Sequence, residues 1–183
     1  MAQPAPPAAP AADSEEFSLR PVGRAPATSV DVLTTVAWMS RLRADVETAG
    51  GILVASCIYE HPSLTALLVR RLGSRCPLDV LVMIDKGMFL ARSCFRLRPR
   101  LGALRRSRAQ VYLCHGAVQR GAFHVKAVCI DRRCLVVGSA NLTTKAFAAN
   151  AETAFRFTGA PVVDVLATLQ DARRRGRLWD GAE

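Results

Sequence analysis

The stretch that decides the fold is residues 123–141, which read FHVKAVCIDRRCLVVGSAN. It contains two apolar runs, at 125–130 and 134–137, and the charged residues 131–133 lie between them. Apolar runs of strand length that are separated by a short polar turn are typical of a β-hairpin. The sequence therefore predicts that these two runs pair with each other as neighbouring strands.

Four polar side chains lie at the ends of the two runs. His124 and Lys126 are two residues apart, so on a strand both side chains point to the same face. Ser139 and Asn141 have the same spacing after the second run, and Gly138 before them permits close backbone approach. If the hairpin pairs in register, an imidazole, an ammonium, a hydroxyl and an amide meet near one point. Such a set suits an anionic tetrahedral centre, meaning phosphate.

Apolar segments upstream of the hairpin predict a larger sheet. Residues 52–58 and 80–84 have the continuous apolar pattern of strands that are buried on both faces. A helix that begins at Pro62 is predicted between them. A strand, a helix and a second strand at this spacing indicate a right-handed parallel βαβ unit.

The other elements follow from residue spacing. Thr28 or Ser29 is predicted to cap a first helix. The apolar face of that helix is Val32, Val36, Met39, Leu42 and Val46. After the hairpin we expect a short helix over 142–149, a strand over 153–157 and a last helix over 162–174. The predicted fold class is α/β, with a mixed, mostly parallel sheet and helices on both faces.

Composition divides the chain into three parts. Residues 1–27 begin with a Pro/Ala-rich stretch that has nothing to bury, and they are predicted to be a disordered tail. Residues 28–178 form the predicted domain, and residues 179–183 a C-terminal tail. A length of 183 residues, half of them hydrophobic, is typical of one compact domain.

Several function classes are excluded by what the sequence lacks. It has no run of about 18 uncharged apolar residues, so no transmembrane helix is expected. It has no secretory signal pattern and no CxxC among its six cysteines, which indicates reduced thiols and an intracellular location. Cys129, Cys134 and His124 lack the fourth ligand and the spacing of a zinc site. We therefore expect no metal and no other cofactor.

The polar residues of the hairpin fit a known signature. The pattern His-x-Lys-x4-Asp-x6-Gly-Ser-x-Asn is filled by His124, Lys126, Asp131, Gly138, Ser139 and Asn141. It resembles the HKD motif of the phospholipase D superfamily, and the resemblance extends over residues 30–175. Because there is one copy of the motif, the chain is most similar to the single-motif branch, which contains Nuc-type endonucleases and mitochondrial phospholipase-D-like nucleases. The resemblance implies a mixed sheet sandwiched by helices.

The resemblance also implies a mechanism with two histidines. His124 of one copy would form a covalent phosphohistidine, and His124 of a second copy would act as general acid and then general base. His61 and His115 lack a motif context, so a homodimer with a shared site is expected.

The remaining motif residues have implied supporting roles. Lys126 and Asn141 would bind the non-bridging phosphate oxygens, and Ser139 would contact phosphate or position the imidazole. Glu152 matches the carboxylate that orients the nucleophilic imidazole in the family, whereas Asp131 is expected to stabilise the hairpin.

Charge indicates the substrate class. The formal net charge is +10, which favours an anionic partner such as nucleic acid. Arginine forks bind phosphodiester oxygens well. The candidate substrate-binding residues are Arg98, Arg100, Arg120, Arg132 and Arg133. Three hypotheses stay open: a metal-independent endonuclease acting on DNA or RNA, a phospholipid phosphodiesterase, and a non-catalytic nucleic-acid-binding module.

Overall fold

A computed structural model of the protein describes residues 29–74, 79–91, 95–116 and 121–181, and the predicted tail 1–27 lies outside these ranges. The strands, in chain order, are β1 Ser29–Thr34, β2 Gly51–Ser56, β3 Asp79–Asp85, β4 Gln110–Cys114, β5 Lys126–Ile130, β6 Cys134–Gly138, β7 Thr153–Thr158 and β8 Arg177–Leu178. The helices are α1 Thr35–Thr48, α2 Pro62–Leu72, α3 Lys86–Leu90, α4 Leu97–Arg106, α5 Thr144–Ala148 and α6 Ala160–Arg175. Of the described helices, none has the length and apolarity needed to cross a membrane.

All of these strands join one sheet in the order β1-β7-β6-β5-β2-β3-β4-β8. The predicted βαβ unit is present, because β2 pairs in parallel with β3 and β3 in parallel with β4. The predicted hairpin is also present, with Ala127 opposite Val137 and Ile130 opposite Cys134. The α/β class with a mixed sheet is therefore confirmed.

The balance of strand directions differs from the prediction of a mostly parallel sheet. Among the described strands, five of the seven neighbouring pairs are antiparallel. Parallel neighbours need a long crossover connection, whereas antiparallel neighbours need only a turn. Among the described strands, only β2, β3 and β4 are parallel neighbours, each joined to the next by a connection that contains a helix, whereas the hairpin turn joins β5 to β6 as antiparallel neighbours.

Helices cover both faces of the sheet, as predicted. On one face α1, α2, α4 and α5 pack over the alternate strand residues Ile52, Val54, Val80, Val82 and Val128. On the other face α6 packs with Val162, Leu166 and Leu169 over the intervening strand residues. Because successive strand side chains alternate between faces, the continuous apolar runs of β2 and β3 supply both core layers.

The first helix begins later than the spacing predicts. Residues 29–34 form strand β1, which pairs with β7, and Thr34 caps α1 by accepting the amide N–H of Ala37. Val32 therefore lies on a strand and is 69% exposed. Three of the six residues of this segment are β-branched, which favours a strand over a helix once an edge is available for pairing.

Trp179, which directly follows the predicted end of the domain, packs on the core. It is 6% exposed, packs edge-on against the ring of Phe89 at a centroid distance of 5.2 Å, and donates its amide N–H to the carbonyl oxygen of Val111. Burial of an indole contributes substantially to a core.

Candidate active site

The sheet brings several strand ends to one edge. The parallel strands β2, β3 and β4 end there, while the antiparallel strand β5 begins opposite the end of β2, with Lys126 paired to Ser56. Strand β6 ends at the same edge and β7 begins there, with Gly138 paired to Ala154. The polar residues that flank these strand ends in the sequence therefore lie close together.

His124 and Lys126 form a contacting pair at this edge. The Nζ atom of Lys126 lies 3.0 Å from Nε2 and 3.1 Å from Nδ1 of the His124 imidazole. It also donates to the carbonyl oxygen of His124 at 3.3 Å. The imidazole is exposed and the lysine is half-buried, so a ligand from solvent can reach both groups.

Partial burial changes the acidity of the lysine. Loss of hydration lowers the pKa of Lys126 below the usual range, although Cys57 and Glu152 oppose this shift. The ammonium therefore gives up its proton at a lower pH than the ammonium of an exposed lysine does.

Ser139 and Glu152 form a second contacting pair. The Ser139 hydroxyl donates to Oε2 of Glu152, and Nδ2 of Asn150 donates to Oε1 at 3.0 Å. Hydrogen bonds from Ser139 and then Asn150, helped by the charge of Lys126, lower the pKa of Glu152 below its usual range despite some desolvation. A carboxylate that accepts two hydrogen bonds and lies near a cation stays ionised.

The backbone around Glu152 and Ser139 is held in place by hydrogen bonds. Thr35 Oγ1 accepts the amide N–H of Glu152 at 3.3 Å and donates to its carbonyl oxygen at 3.2 Å. Ser139 Oγ accepts the amide N–H of Thr153 at 3.2 Å. A Cβ at Gly138 would lie 2.7 Å from the carbonyl oxygen of Thr153, so the close approach predicted for this glycine is confirmed.

The structure does not form the pair predicted between Glu152 and the imidazole. Within the described part of the chain, the carboxylate is bonded to Ser139 and Asn150, and His124 contacts Lys126. Ser139 contacts Glu152 and the backbone of Thr153, so it likewise does not touch the imidazole. The negative charge of Glu152 acts on Lys126, where it raises the pKa against the effect of burial.

Asn141 is placed by the residues that follow it. The amide N–H of Leu142 donates to Ser56 Oγ at 3.3 Å, and its carbonyl oxygen accepts the amide N–H groups of Glu60 and His61. Oδ1 of Asn141 is buried and has no hydrogen-bond partner within the described structure. A buried carbonyl oxygen without a donor is unusual in a folded protein, and as an acceptor this oxygen cannot itself bind a phosphate oxygen.

Asp85 is a site residue that the sequence analysis missed. Its buried carboxylate accepts the amide N–H of Phe123 at 2.6 Å and that of Met88 at 2.8 Å. Phe123 is itself buried and directly precedes His124. Asp85 therefore fixes the backbone that presents the imidazole. The available signal was a carboxylate placed immediately after the apolar residues of a predicted strand.

Asp131, Arg132 and Arg133 do not lie at the site. They form the hairpin turn at the opposite end of β5, with φ angles of 51° at Asp131 and 56° at Arg132. Asp131 comes five positions after Lys126, which in a strand corresponds to about 16 Å. The prediction that these three residues belong to the catalytic or substrate-binding set is corrected. They lie at the end of β5 that is far from Lys126.

Asp131 has the structural role expected for it. Its Oδ1 accepts the amide N–H groups of Gly50 at 2.9 Å and Gly51 at 2.8 Å, which connects the hairpin to the start of β2. We predict that Asp131→Ala lowers the free energy of unfolding by about 1–3 kcal/mol, because two amides lose a charged acceptor. Chemical denaturation measures this loss. A stable variant whose folded fraction has lost turnover would contradict the structural role.

The other three predicted arginines differ in where they lie. Arg98 Nε donates to the carbonyl oxygen of Phe89 at 3.2 Å, and its guanidinium lies 5.1 Å from the centre of the Phe89 ring. Arg100 lines a cleft that Asn141 and Glu152 also line. Arg120 lies outside the described residues.

Neither of the other two histidines lies beside His124. His61 is buried at the start of α2, where Nδ1 accepts the amide N–H of Leu64 at 3.2 Å. Burial, together with the charge of Arg43, lowers the pKa of His61 below its usual range. His115 follows β4, and three strand spacings separate β4 from β5, about 14 Å in all.

Fold and site together define the class of protein, which is a domain of the phospholipase D type. The family model described as "Cardiolipin synthase, PLD-like domain" matches residues 52–174. The chain belongs to this family of phospholipase D-like domains. No sequence among the curated proteins matches it significantly.

Solved structures have the same fold. Nuc from Salmonella typhimurium, a phospholipase D family member, superposes with a TM-score of 0.69 at 20% identity, over 84% of this chain and 99% of its own. NucT from Helicobacter pylori gives a TM-score of 0.72 at 15% identity, over 84% and 100%. Phosphatidylserine synthase from Haemophilus influenzae gives 0.63 at 13% identity, over 83% of this chain and 40% of its own.

Proposed function

We propose that the protein hydrolyses phosphodiester bonds of nucleic acids through a covalent phosphohistidine and without a metal ion. The observation that carries the proposal is the exposed imidazole of His124, which contacts the ammonium of Lys126. An imidazole nitrogen can act as a nucleophile, and a fixed cation stabilises the charge that develops on the non-bridging oxygens. The side chain of Asn141 lines the adjoining cleft, and its NH2 group is a donor of the kind that can bind a phosphate oxygen.

The proposed reaction has two displacement steps. In the first, a ring nitrogen of His124 forms a bond to phosphorus while the bond to the leaving oxygen breaks, and a second imidazole protonates that oxygen. In the second, the neutral second imidazole takes a proton from water, and the water oxygen displaces His124 from phosphorus. Both imidazoles are then restored, as a turnover cycle requires.

We infer that a second copy of the chain supplies the second imidazole. His61 is committed to capping α2, and His115 lies three strands away from β5. His124 is exposed, so a two-fold axis near it would bring two copies of the same imidazole to one phosphate. The monomer holds half of the groups that this reaction needs.

Charge supports nucleic acid as the substrate. The net charge of +10 favours a polyanion, whose binding releases condensed counterions. The family description and the phosphatidylserine synthase structure make phospholipid the competing substrate, and direct assay separates the two.

The test is a substrate panel in the presence of a chelator. Single-stranded and duplex DNA, RNA, and vesicles of anionic phospholipid are incubated with the protein in EDTA. We expect cleavage of nucleic acid that the chelator does not diminish. Turnover confined to the vesicles would replace the nuclease proposal with the lipid one, and salt-sensitive binding of nucleic acid without cleavage would favour a binding module.

The shared site makes a separate prediction for mixed dimers. Wild-type and His124→Ala chains with different tags are co-expressed, and the heterodimer is isolated through both tags. We expect its turnover to be at least about a hundredfold below that of the wild-type dimer, because loss of the nucleophile or of the general acid disables the common site. A heterodimer that retains half of the wild-type turnover would show two independent sites and would rule out the sharing.

A further inference from the structure

A cleft of about 600 Å³ lies directly beside the candidate active site. Asn141 and Glu152 line one part of it, so the cleft and the site share residues. Other lining residues come from the start of α2, from the region of α4 and from α5. The basic ones are Arg96, Arg100 and Lys145.

The spacing of α4 explains why two arginines line the cleft. Arg96 caps the helix and Arg100 is four residues further on, so both lie on the same side of it. Arg98 lies between them in the sequence but is bonded to the carbonyl oxygen of Phe89. An adjoining side of the helix is buried in the core through Leu97, Leu101 and Leu104.

The three cations have no counter-ion within the described residues. No carboxylate lies within ion-pair distance of Arg96, Arg100 or Lys145 there. Of the described residues that line the cleft, two are carboxylates, Glu60 and Glu152, and the second already accepts hydrogen bonds from its neighbours. The cations therefore outnumber the acids, which favours an anionic occupant.

We propose that this cleft binds the phosphate next to the scissile one on a nucleic-acid strand. The inference rests on the proposed function and adds a second binding position to it. Guanidinium groups suit this ligand because their forked donors match two phosphate oxygens. Asn141 and Glu152 line both the cleft and the site, so the proposed strand has one phosphate at His124 and the neighbouring phosphate in the cleft. The protein then prefers substrates with a second phosphate.

The experiment compares thymidine dinucleotides that differ by one terminal phosphate. The substrates are TpT, pTpT and TpTp, each with one cleavable internal diester. For the wild-type protein we expect kcat/KM of pTpT or of TpTp to exceed that of TpT by about tenfold, as one charge-assisted contact allows. In the double variant Arg96→Gln/Arg100→Gln this preference falls towards one.

A matched control separates local binding from overall charge. Arg132→Gln/Arg133→Gln removes the same charge at the other end of β5, and we expect it to keep the preference. Arg96 is exposed, so the single variant Arg96→Gln gives the same comparison with little risk to folding. A preference that survives in the Arg96/Arg100 variant, or one that is lost equally in the control, would overturn the proposal.

The two proposals fail in different ways. If the wild-type protein cleaves all three dinucleotides equally, the neighbouring-phosphate site is wrong and the nuclease function stands. If it cleaves neither these nor longer strands but hydrolyses bis(p-nitrophenyl) phosphate or lipid vesicles, the nuclease function itself is wrong, and the neighbouring-phosphate site with it.

Discussion

Replacement of His124 by alanine is expected to lower phosphodiesterase turnover by at least about 10⁴-fold, the range seen when a covalent nucleophile is removed. In the proposed dimer this change removes the nucleophile of one copy and the general acid of the other, so both displacement steps fail. Turnover of bis(p-nitrophenyl) phosphate and of a labelled oligonucleotide in EDTA measures the loss. Folding should be unaffected, because the imidazole is exposed and contacts Lys126 alone among the described side chains.

His115→Ala is the matched control for this prediction. It removes an imidazole from the same end of the sheet, after β4, and we expect less than about a twofold change, as for most partly exposed substitutions. Mass spectrometry of alkali-quenched protein after brief mixing with substrate should detect, in the wild-type protein alone, a peptide that contains residue 124 and carries the phosphoryl group of the substrate with its remaining ester. Retention of a tenth of the wild-type turnover by His124→Ala would remove this histidine from the reaction.

The hairpin and its polar residues could be predicted from the sequence because the information is local. Residues 126–130 and 134–138 pair as the two apolar runs indicate, and the strand period places His124 and Lys126 together. The later elements also lie near their predicted positions, as α5 over Thr144–Ala148 and β7 over Thr153–Thr158 show. The spacing of apolar residues in a strand or a helix is a property of a short stretch of sequence, so it can be recognised without knowledge of the fold.

Contacts between segments that are distant in the chain could not be predicted in this way. Ser139 bonds to Glu152 because β6 pairs with β7 in a register that places Gly138 opposite Ala154. The register of β6 against β7 cannot be derived from the spacing of the motif residues. Asp85 accepts the amide N–H of Phe123, which lies 38 residues later in the chain. This contact also depends on which strands become neighbours in the sheet. Whether the later strands pair in parallel or antiparallel also depends on which edges of the sheet remain free after the βαβ unit has formed.

One error could have been avoided from the sequence. Asp131 has a fixed place in the motif, which grouped it with Lys126 and Asn141. A strand rises about 3.3 Å per residue, so five strand residues already place Asp131 far from Lys126. A motif of fixed spacing can therefore contain both residues that contact the ligand and residues that stabilise the hairpin. The rise per residue of a strand shows which of them can lie at the site.

Replacement of Lys126 by glutamine is expected to lower kcat by about 10²–10³-fold, the usual cost of removing one donor to a developing oxyanion. The loss should fall mainly on kcat, because the cation stabilises charge that increases in the transition state. Lys86→Gln removes the same charge from the start of α3 and serves as the control. If Lys126→Gln raised KM and left kcat unchanged, the ammonium would bind the substrate without stabilising the transition state, which would contradict the prediction.

The pH profile separates a role for the charge of Lys126 from a role in packing. Burial lowers the pKa of this ammonium, and the protonated form is the active one, so turnover should fall as the pH rises through a value below that of an exposed lysine. Lys126→Arg keeps a cation that does not titrate in this range, although its planar fork fits the imidazole contact less well. We therefore expect Lys126→Arg to be slower than the wild-type protein at neutral pH and to lose the alkaline decline. An unchanged alkaline decline in Lys126→Arg would assign that titration to another group and contradict the electrostatic role, because a guanidinium has no proton to lose there.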